Sequence, residues 1–330
     1  MDIAQFVSIL ATAIATSTPL VFACLGETIT ERAGVINLSA EGTILLGAMT
    51  SFAIAKTLEG SGTVPSLLAG FAGAALVGAA IALIVALGTL TLKQSQVAIG
   101  FVLALLGANL SSFLGNSFVR IPGPTVPSFK IPGLQNIPFL GNLLFQSDLL
   151  VYFSYAAIAL VWVYFYRTRA GLMLRAIGEQ PNAAFARGTN VVKMRYIYTL
   201  IGGAMMGIAG AAFSLDFKAG WSHMHTAGYG WIALAIVIFG GWNPLRVALS
   251  CYLFGILQSL ASVAQSTIPA VPSQVFNVAP FMLMILLLVL TSSEWIERLL
   301  KLLPSPLDRT ASEMIRSTPP AALGKVFEQD

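Results

Sequence analysis

Long apolar runs decide what this chain can fold into. Eight stretches of about 17 residues or more, the length a helix needs to cross a bilayer, follow one another: Ile3 to Gly26, Val35 to Ala55, Val64 to Leu92, Gln94 to Val119, Leu149 to Tyr166, Tyr196 to Leu215, Val247 to Ala264 and Val275 to Thr291. Glu41 is the one charged residue inside any of them. Charged residues make up 10% of the chain, against roughly 25% in soluble domains, and 56% of residues are hydrophobic. The chain is therefore expected to be an all-α, polytopic transmembrane helical bundle of about 8 to 10 spans, short or broken helices included, embedded in membrane lipid. The run from Ile3 is too long for a signal-peptide core and lacks a basic flank, so it reads as a retained first helix.

A net charge of +4 would suggest nucleic acid in a soluble domain, but here the basic residues mark topology, and no nucleic-acid partner is expected. The strongly charged loop 167–195 carries Arg167, Arg169, Arg175, Arg187, Lys193 and Arg195 against the single acid Glu179, which places it in the cytoplasm. Counting outwards through nine segments, these eight and the shorter Tyr229 to Gly240, gives an external N-terminus and an internal C-terminus, with Arg32, Lys93, Arg246, Arg298 and Lys301 all inside. Residues 1–303 form the transmembrane domain, Glu294 to Leu303 reads as an amphipathic interfacial helix, and 304–330 as a mobile cytoplasmic tail. The Pro-rich stretch Arg120 to Ser147 reads as a long extended loop.

Polar residues inside spans mark places where helices meet or where something passes. The segment Glu31 to Gly42 sets Asn37, Ser39 and Glu41 at the start of an apolar run; Asn37 and Glu41 are four apart and on a helix would share a face. Asn109 lies in the fourth run, Asp216 just after the sixth, and Trp231 within the segment Tyr229 to Gly240, which is half the length of a crossing and stops at Gly240-Gly241-Trp242-Asn243-Pro244. Such a short run broken by Gly and Pro signals a discontinuous or re-entrant helix. Asn37, Ser39, Glu41, Asn109 and Trp231 are candidates for a translocation path, the other reading being a buried network that joins helices. Two small-residue stripes, Gly70, Ala74, Gly78, Ala82 and Ala86 in one run and Gly203, Gly207 and Ala211 in another, predict close helix approach.

In the cytoplasmic loop, Gly178-Glu179-Gln180-Pro181-Asn182-Ala183-Ala184-Phe185-Ala186-Arg187-Gly188 predicts a short helix, with Pro181 at its first position and Gly188 at its end. Its small residues suit close docking of a partner, the other reading being an amphipathic connector that lies on the membrane surface. No Gly-x-x-x-x-Gly-Lys-Ser/Thr loop for ATP and no catalytic or metal-binding set can be assembled. His223 and His225 read as solvated residues of an external loop, and Cys24 and Cys251 as packed small hydrophobes.

Glu31 to Gly42, the Gly178 to Gly188 loop, and Gly228-Tyr229-Gly230-Trp231 through Asn243-Pro244 stand in an order that resembles the permease subunits of bacterial ATP-binding-cassette importers, in the branch for simple sugars, nucleosides and branched-chain amino acids. The resemblance covers roughly Pro19 to Leu290. The Glu-Arg-x-Gly-Val-x-Asn opening is most similar to nucleoside importers served by basic-membrane-protein-type binding lipoproteins, from which Ser39-Ala40 and Thr189 depart. It implies a multi-pass protein of the bacterial cytoplasmic (inner) membrane that pairs with a second, paralogous permease, two cytoplasmic ATPase subunits and an external substrate-binding protein. It also implies that ATP is bound by those partners and that this chain holds no cofactor. Gly178, Glu179, Pro181, Ala183, Ala184 and Gly188 would then form the coupling helix seated in the ATPase. The alternative from another class is an ion-coupled secondary transporter of a small polar solute, which would share the broken helix and polar spans but leave that loop unexplained.

Overall fold

Each of the nine apolar segments becomes a helix, and most breaks between them contain Gly or Pro, while the turn between the third and fourth is made at the exposed Lys93, φ +52°. The structure is a computed structural model that describes residues 3–129, 131–133, 135, 137, 140–226, 228–268, 271–291 and 318–328. Its helices are α1 (Ile3–Arg32), α2 (Ala40–Thr57), α3 (Thr63–Ala86, extended by a π-turn over Leu87–Thr91), α4 (Gln96–Leu114) and the short α5 (Leu140–Leu144). They continue as α6 (Leu149–Arg167), α7 (Arg169–Glu179), α8 (Pro181–Ala186), α9 (Val191–Ala212, ending in a π-turn over Phe213–Phe217), α10 (Tyr229–Phe239), α11 (Pro244–Thr267) and α12 (Ser273–Thr291). Seven of these, α1, α3, α4, α6, α9, α11 and α12, are long and apolar enough to cross a membrane. α2, with 18 residues, and α10, with 11, are the two shorter membrane segments.

The centre is built from α1, α2, α3 and α9. The two small-residue stripes face one another: a methyl on Gly78 would lie 2.1 Å from the Gly203 carbonyl oxygen, and one on Gly207 2.0 Å from that of Ala74. Backbones at that separation gain dispersion contacts that larger residues would forbid, and in lipid this packing replaces the hydrophobic drive between helices. Around this centre, α3, α4, α6 and α12 turn residues such as Leu68, Phe113, Leu160 and Met282 outwards, each more than 60% exposed, as lipid- or partner-facing surfaces require.

Three expectations are corrected. α1 does not stop at Gly26 but runs to Arg32, because nothing between Gly26 and Gly34 breaks a helix; Glu27 and Glu31 are consequently buried, at 0% and 4% exposure, rather than lying in a turn. α2 begins at Ala40 rather than Val35, since Gly34 adopts φ +92° and residues 34–39 leave helical geometry. Asn37 therefore lies outside the helix that carries Glu41, and the two do not share a helical face. Finally, His225 is not a solvated loop residue: it is 5% exposed and packs on the buried Trp221 with ring centroids 5.5 Å apart, in a segment that folds back into the bundle.

One end of the molecule collects Arg32, Lys93, α7, α8, Arg195 and Trp242, the groups that charge patterning assigns to the cytoplasm. Residues 318–328 lie across this end, which differs from the tail expected to be mobile. Ala322 is buried and its N–H donates to the Gly178 carbonyl at 2.9 Å; Gly324 donates to Gly34, and the Arg195 guanidinium donates to the Lys325 carbonyl at 2.9 Å. The expected interfacial helix Glu294 to Leu303 lies outside the described residues.

Candidate functional site

At the middle of the bundle, α10 begins against the start of α2, and a single carboxylate makes the joint. Glu41 Oε1 accepts the Thr226 hydroxyl at 3.0 Å and the Gly228 N–H at 3.1 Å, while Oε2 accepts the Gly230 N–H at 2.7 Å. Those N–H groups belong to the open first turn of α10, which has no intrahelical partner for them and carries the positive end of the helix dipole. A buried carboxylate there is stabilised by charge-assisted hydrogen bonds that water would otherwise supply. Gly228 takes φ +85° to turn the chain into α10, and at Gly230 any side chain would sit 2.3 Å from the Glu41 Cα.

The depth of this joint follows from helix geometry. The 11 residues of α10 rise about 16 Å, at 1.5 Å each, and end beside Arg32, one of the groups that charge patterning assigns to the cytoplasm, whose Nε donates to the Trp242 carbonyl at 3.0 Å. The α10 N-terminus thus lies near the midplane of a hydrocarbon core about 30 Å thick. Residues 218–226 supply the remaining descent from the far end of α9.

The broken stretch 34–39 is held from several sides. Gln96 Oε1 accepts the Ile36 N–H at 2.8 Å, Glu27 Oε1 accepts the Asn37 N–H at 3.4 Å, and Asn37 Oδ1 accepts both the Ser39 hydroxyl at 2.6 Å and its N–H at 3.2 Å. Asn37 and Ser39 are fully buried, and Glu41 is 5% exposed. These three candidates are brought together, and in this conformation they bond protein groups. α4 packs tightly over the joint, its Gly107 meeting the backbone of Gly42 and its Gly100 that of Leu38.

Asn109 and Trp231 lie elsewhere, on the outside of the same structure. Phe101, Leu105 and Asn109 recur every fourth residue along the exposed stripe of α4, and the ring of Trp231, 40% exposed, stands 6.2 Å from that of Phe101. Asn109 Nδ2 donates back to the Leu105 carbonyl at 2.8 Å. The buried joint therefore supports an exposed face from behind.

At the end that carries Arg32, the expected short helix is present as α8, with Pro181 in its first turn and Gly188 at φ +86°. α7 and α8 form a groove of about 810 Å³ whose lining includes Leu172, Met173, Ala176, Ala183 and Arg187. Ala183 and Phe185 are exposed, whereas Gly178 and Ala184 are buried against their own bundle. Gly178 packs on the end of α1, where a methyl would lie 2.1 Å from the Arg32 carbonyl oxygen, and Glu179 pairs with Arg32 at 3.4 Å. Sequence reasoning missed Phe185, Glu27 and Glu31. The Glu27/Glu31 pair could have been found from the unbroken four-residue spacing through Arg32, but nothing in the sequence separates Phe185 from the alanines around it.

Comparison with known proteins gives a consistent picture. The profile described as branched-chain amino acid transport system / permease component matches residues 9–288. The guanosine ABC transporter permease protein NupQ of Bacillus subtilis is 35% identical over 305 residues, 87% of this chain and 93% of its own. The nucleoside ABC transporter permease protein NupC of Lactococcus lactis is 34% identical over 282 residues, covering 83% and 89%. The permease protein TsgC13 of Haloferax volcanii, provisionally assigned to a glucose ABC transporter, is 39% identical over 254 residues, covering 76% and 75%. No solved structure matches the chain.

Proposed function

The chain belongs to the permease-component family of branched-chain amino acid transport systems, and on that premise we propose that it forms half of a translocation path for a nucleoside or simple sugar, beside a second, paralogous permease. As an ABC importer permease, a multi-pass inner-membrane protein, it works with ATPase and substrate-binding components. Two ATPase subunits, one for each permease, fit the symmetry of such an assembly. The substrate class is supported by the relatives named for guanosine, nucleosides and glucose.

The observation that carries the reading is the continuous link from α8 to the midplane. The exposed face of α8, with Ala183 and Phe185, is the surface on which an ATPase would seat; Gly178 and Glu179 just before it grip the end of α1, and Arg32 there grips the end of α10. A displacement of α7 and α8 by the ATPase therefore moves the base of α10, whose other end is fixed to α2 through Glu41. The exposed face bearing Asn109 and Trp231 would meet the second permease, and the path runs between the two. Asn37, Ser39 and Glu41 act from behind this face, holding the segments that must move together.

Co-purification tests the coupling surface. Ala183→Trp in α8 should strip the ATPase from the complex while the permease still folds; full retention would remove α8 from the interface.

A further inference from the structure

We propose that the outward-facing cavity between α1, α11 and α12 is a holding site for an uncharged nucleoside, with Tyr229 and Gln258 at its floor. This inference rests on the importer reading above and names a substrate class and a site within it. The cavity has a volume of about 500 Å³, inside the range of roughly 300–1,000 Å³ typical of small-molecule pockets.

Its position argues for a solute rather than lipid. Gln258 lies 14 residues along α11 from the cytoplasmic Pro244, and Thr16 lies 16 residues along α1 from Arg32, so both stand about 21–24 Å from that end, within the outer half of the bilayer. Thr12, Thr16, Ser262, Gln265 and Asn277 nevertheless all line the cavity. Thr12, Ser262 and Gln265 stand about 27–32 Å from that end, at the outer mouth of the cavity, whereas Gln258 and Thr16 lie deeper, where a carboxamide is costly against hydrocarbon and expected where water or a polar ligand fills the space.

The lining also has the chemistry of a flat, polar ring. Phe217, Tyr229, Phe276 and Phe281 supply aromatic faces, and the Tyr229 and Phe281 rings stand 6.1 Å apart and nearly perpendicular. Gln258 Nε2 donates to the Tyr229 hydroxyl, which places a carboxamide and a phenol side by side at the floor. Carboxamides pair with the adjacent donor and acceptor on a base edge, and aromatic faces stack on any base. The Thr12 and Thr16 hydroxyls donate to Ser8 and Ala13 of their own helix and so offer a ribose acceptor lone pairs, beside the Ser262 hydroxyl. Lys218, the cation at this wall, is already committed: its Nζ donates to the His225 carbonyl at 2.6 Å and lies 5.7 Å from the Tyr229 ring. A neutral nucleoside fits such a site better than a nucleotide.

The floor is tied to the joint below it. Tyr229 stands between Gly228 and Gly230, the two residues whose N–H groups Glu41 holds. Movement of α10 would shift the floor of the cavity and Tyr229 with it.

The experiment uses the assembled importer in vesicles with its ATPase, second permease and binding protein. Ser262→Cys should react with an impermeant maleimide added outside, because Cys24 and Cys251 are buried, and adenosine or guanosine should slow that reaction at least fivefold while ribose does not. Gln258→Leu should lower ATP-driven nucleoside uptake at least tenfold with the complex intact. No labelling, labelling that nucleosides leave unchanged, or normal nucleoside uptake by Gln258→Leu would each overturn the site while wild-type nucleoside uptake leaves the importer reading standing. Wild-type uptake of ribose alone would overturn the nucleoside class. Absence of any ATP-driven uptake by the wild-type complex would instead undo the importer reading itself.

Discussion

Glu41 at the second position of α2 accepts the Gly230 N–H at 2.7 Å across 189 residues of sequence, and this one carboxylate fastens the first half of the chain to the broken helix of the second. An acid that a lipid environment should exclude is retained because it completes the open end of α10.

Glu41→Gln should therefore damage the fold more than a surface change would. The amide keeps one acceptor oxygen but turns an NH2 towards backbone donors, and hydrogen bonds to a charged acceptor are each worth about 1.5–3 kcal/mol. A loss of several degrees in the melting temperature of the purified complex, together with reduced uptake, is expected. Unchanged stability with abolished uptake would give Glu41 a direct role on the path instead.

Gly230→Ala probes the same joint through its shape. The added methyl meets the backbone of Glu41 at 2.3 Å, where no flexible side chain can yield. Overpacking of this kind costs about 1–3 kcal/mol or more, and the variant should express poorly or melt earlier. Gly60→Ala, with open space around it, is the control and should behave as wild type.

Phe185 should be a principal anchor of the ATPase contact. It is 42% exposed on α8, and interface aromatics of this kind often contribute 2 kcal/mol or more, so Phe185→Ala should weaken ATPase binding by about 30-fold or more in a pull-down titration. Equal affinity would shift the contact onto α7.

Removing residues 318–330 should loosen the cytoplasmic end. The deletion withdraws the carbonyl held by the buried Arg195 and the N–H of Ala321 held by Glu179 at 3.1 Å. The Arg32–Glu179 pair is left without that brace. Faster proteolysis or hydrogen exchange in α7 and α8 is the expected result; unchanged protection would make the strap dispensable.

Helix identities and their packing were legible because lipid imposes them: long apolar runs must be helices, and the Gly78 and Gly203 stripes had to meet something of equally small profile. The half-length α10 was legible from Gly240 through Pro244, and α8 from Pro181 and Gly188. Helix ends at polar residues were not, because they depend on partners distant in sequence. That Glu31 is buried with a partner depends on Trp242, whose indole N–H donates to its carboxylate, and the role of Glu41 depends on Thr226 and Gly228. Where residues 318–328 pack was illegible for the same reason, since nothing in them announces that Gly34, Gly178 and Arg195 will receive them.

The central claim, transport driven by ATP through α8, is tested most directly by uptake into vesicles holding the two permeases, the ATPase and the external binding protein. Uptake of radiolabelled adenosine, guanosine or ribose that requires ATP, persists when an ionophore collapses the proton and sodium gradients, and is lost in Ala183→Trp is the predicted result. Uptake that follows the ion gradient and ignores ATP would contradict the account and support the ion-coupled transporter.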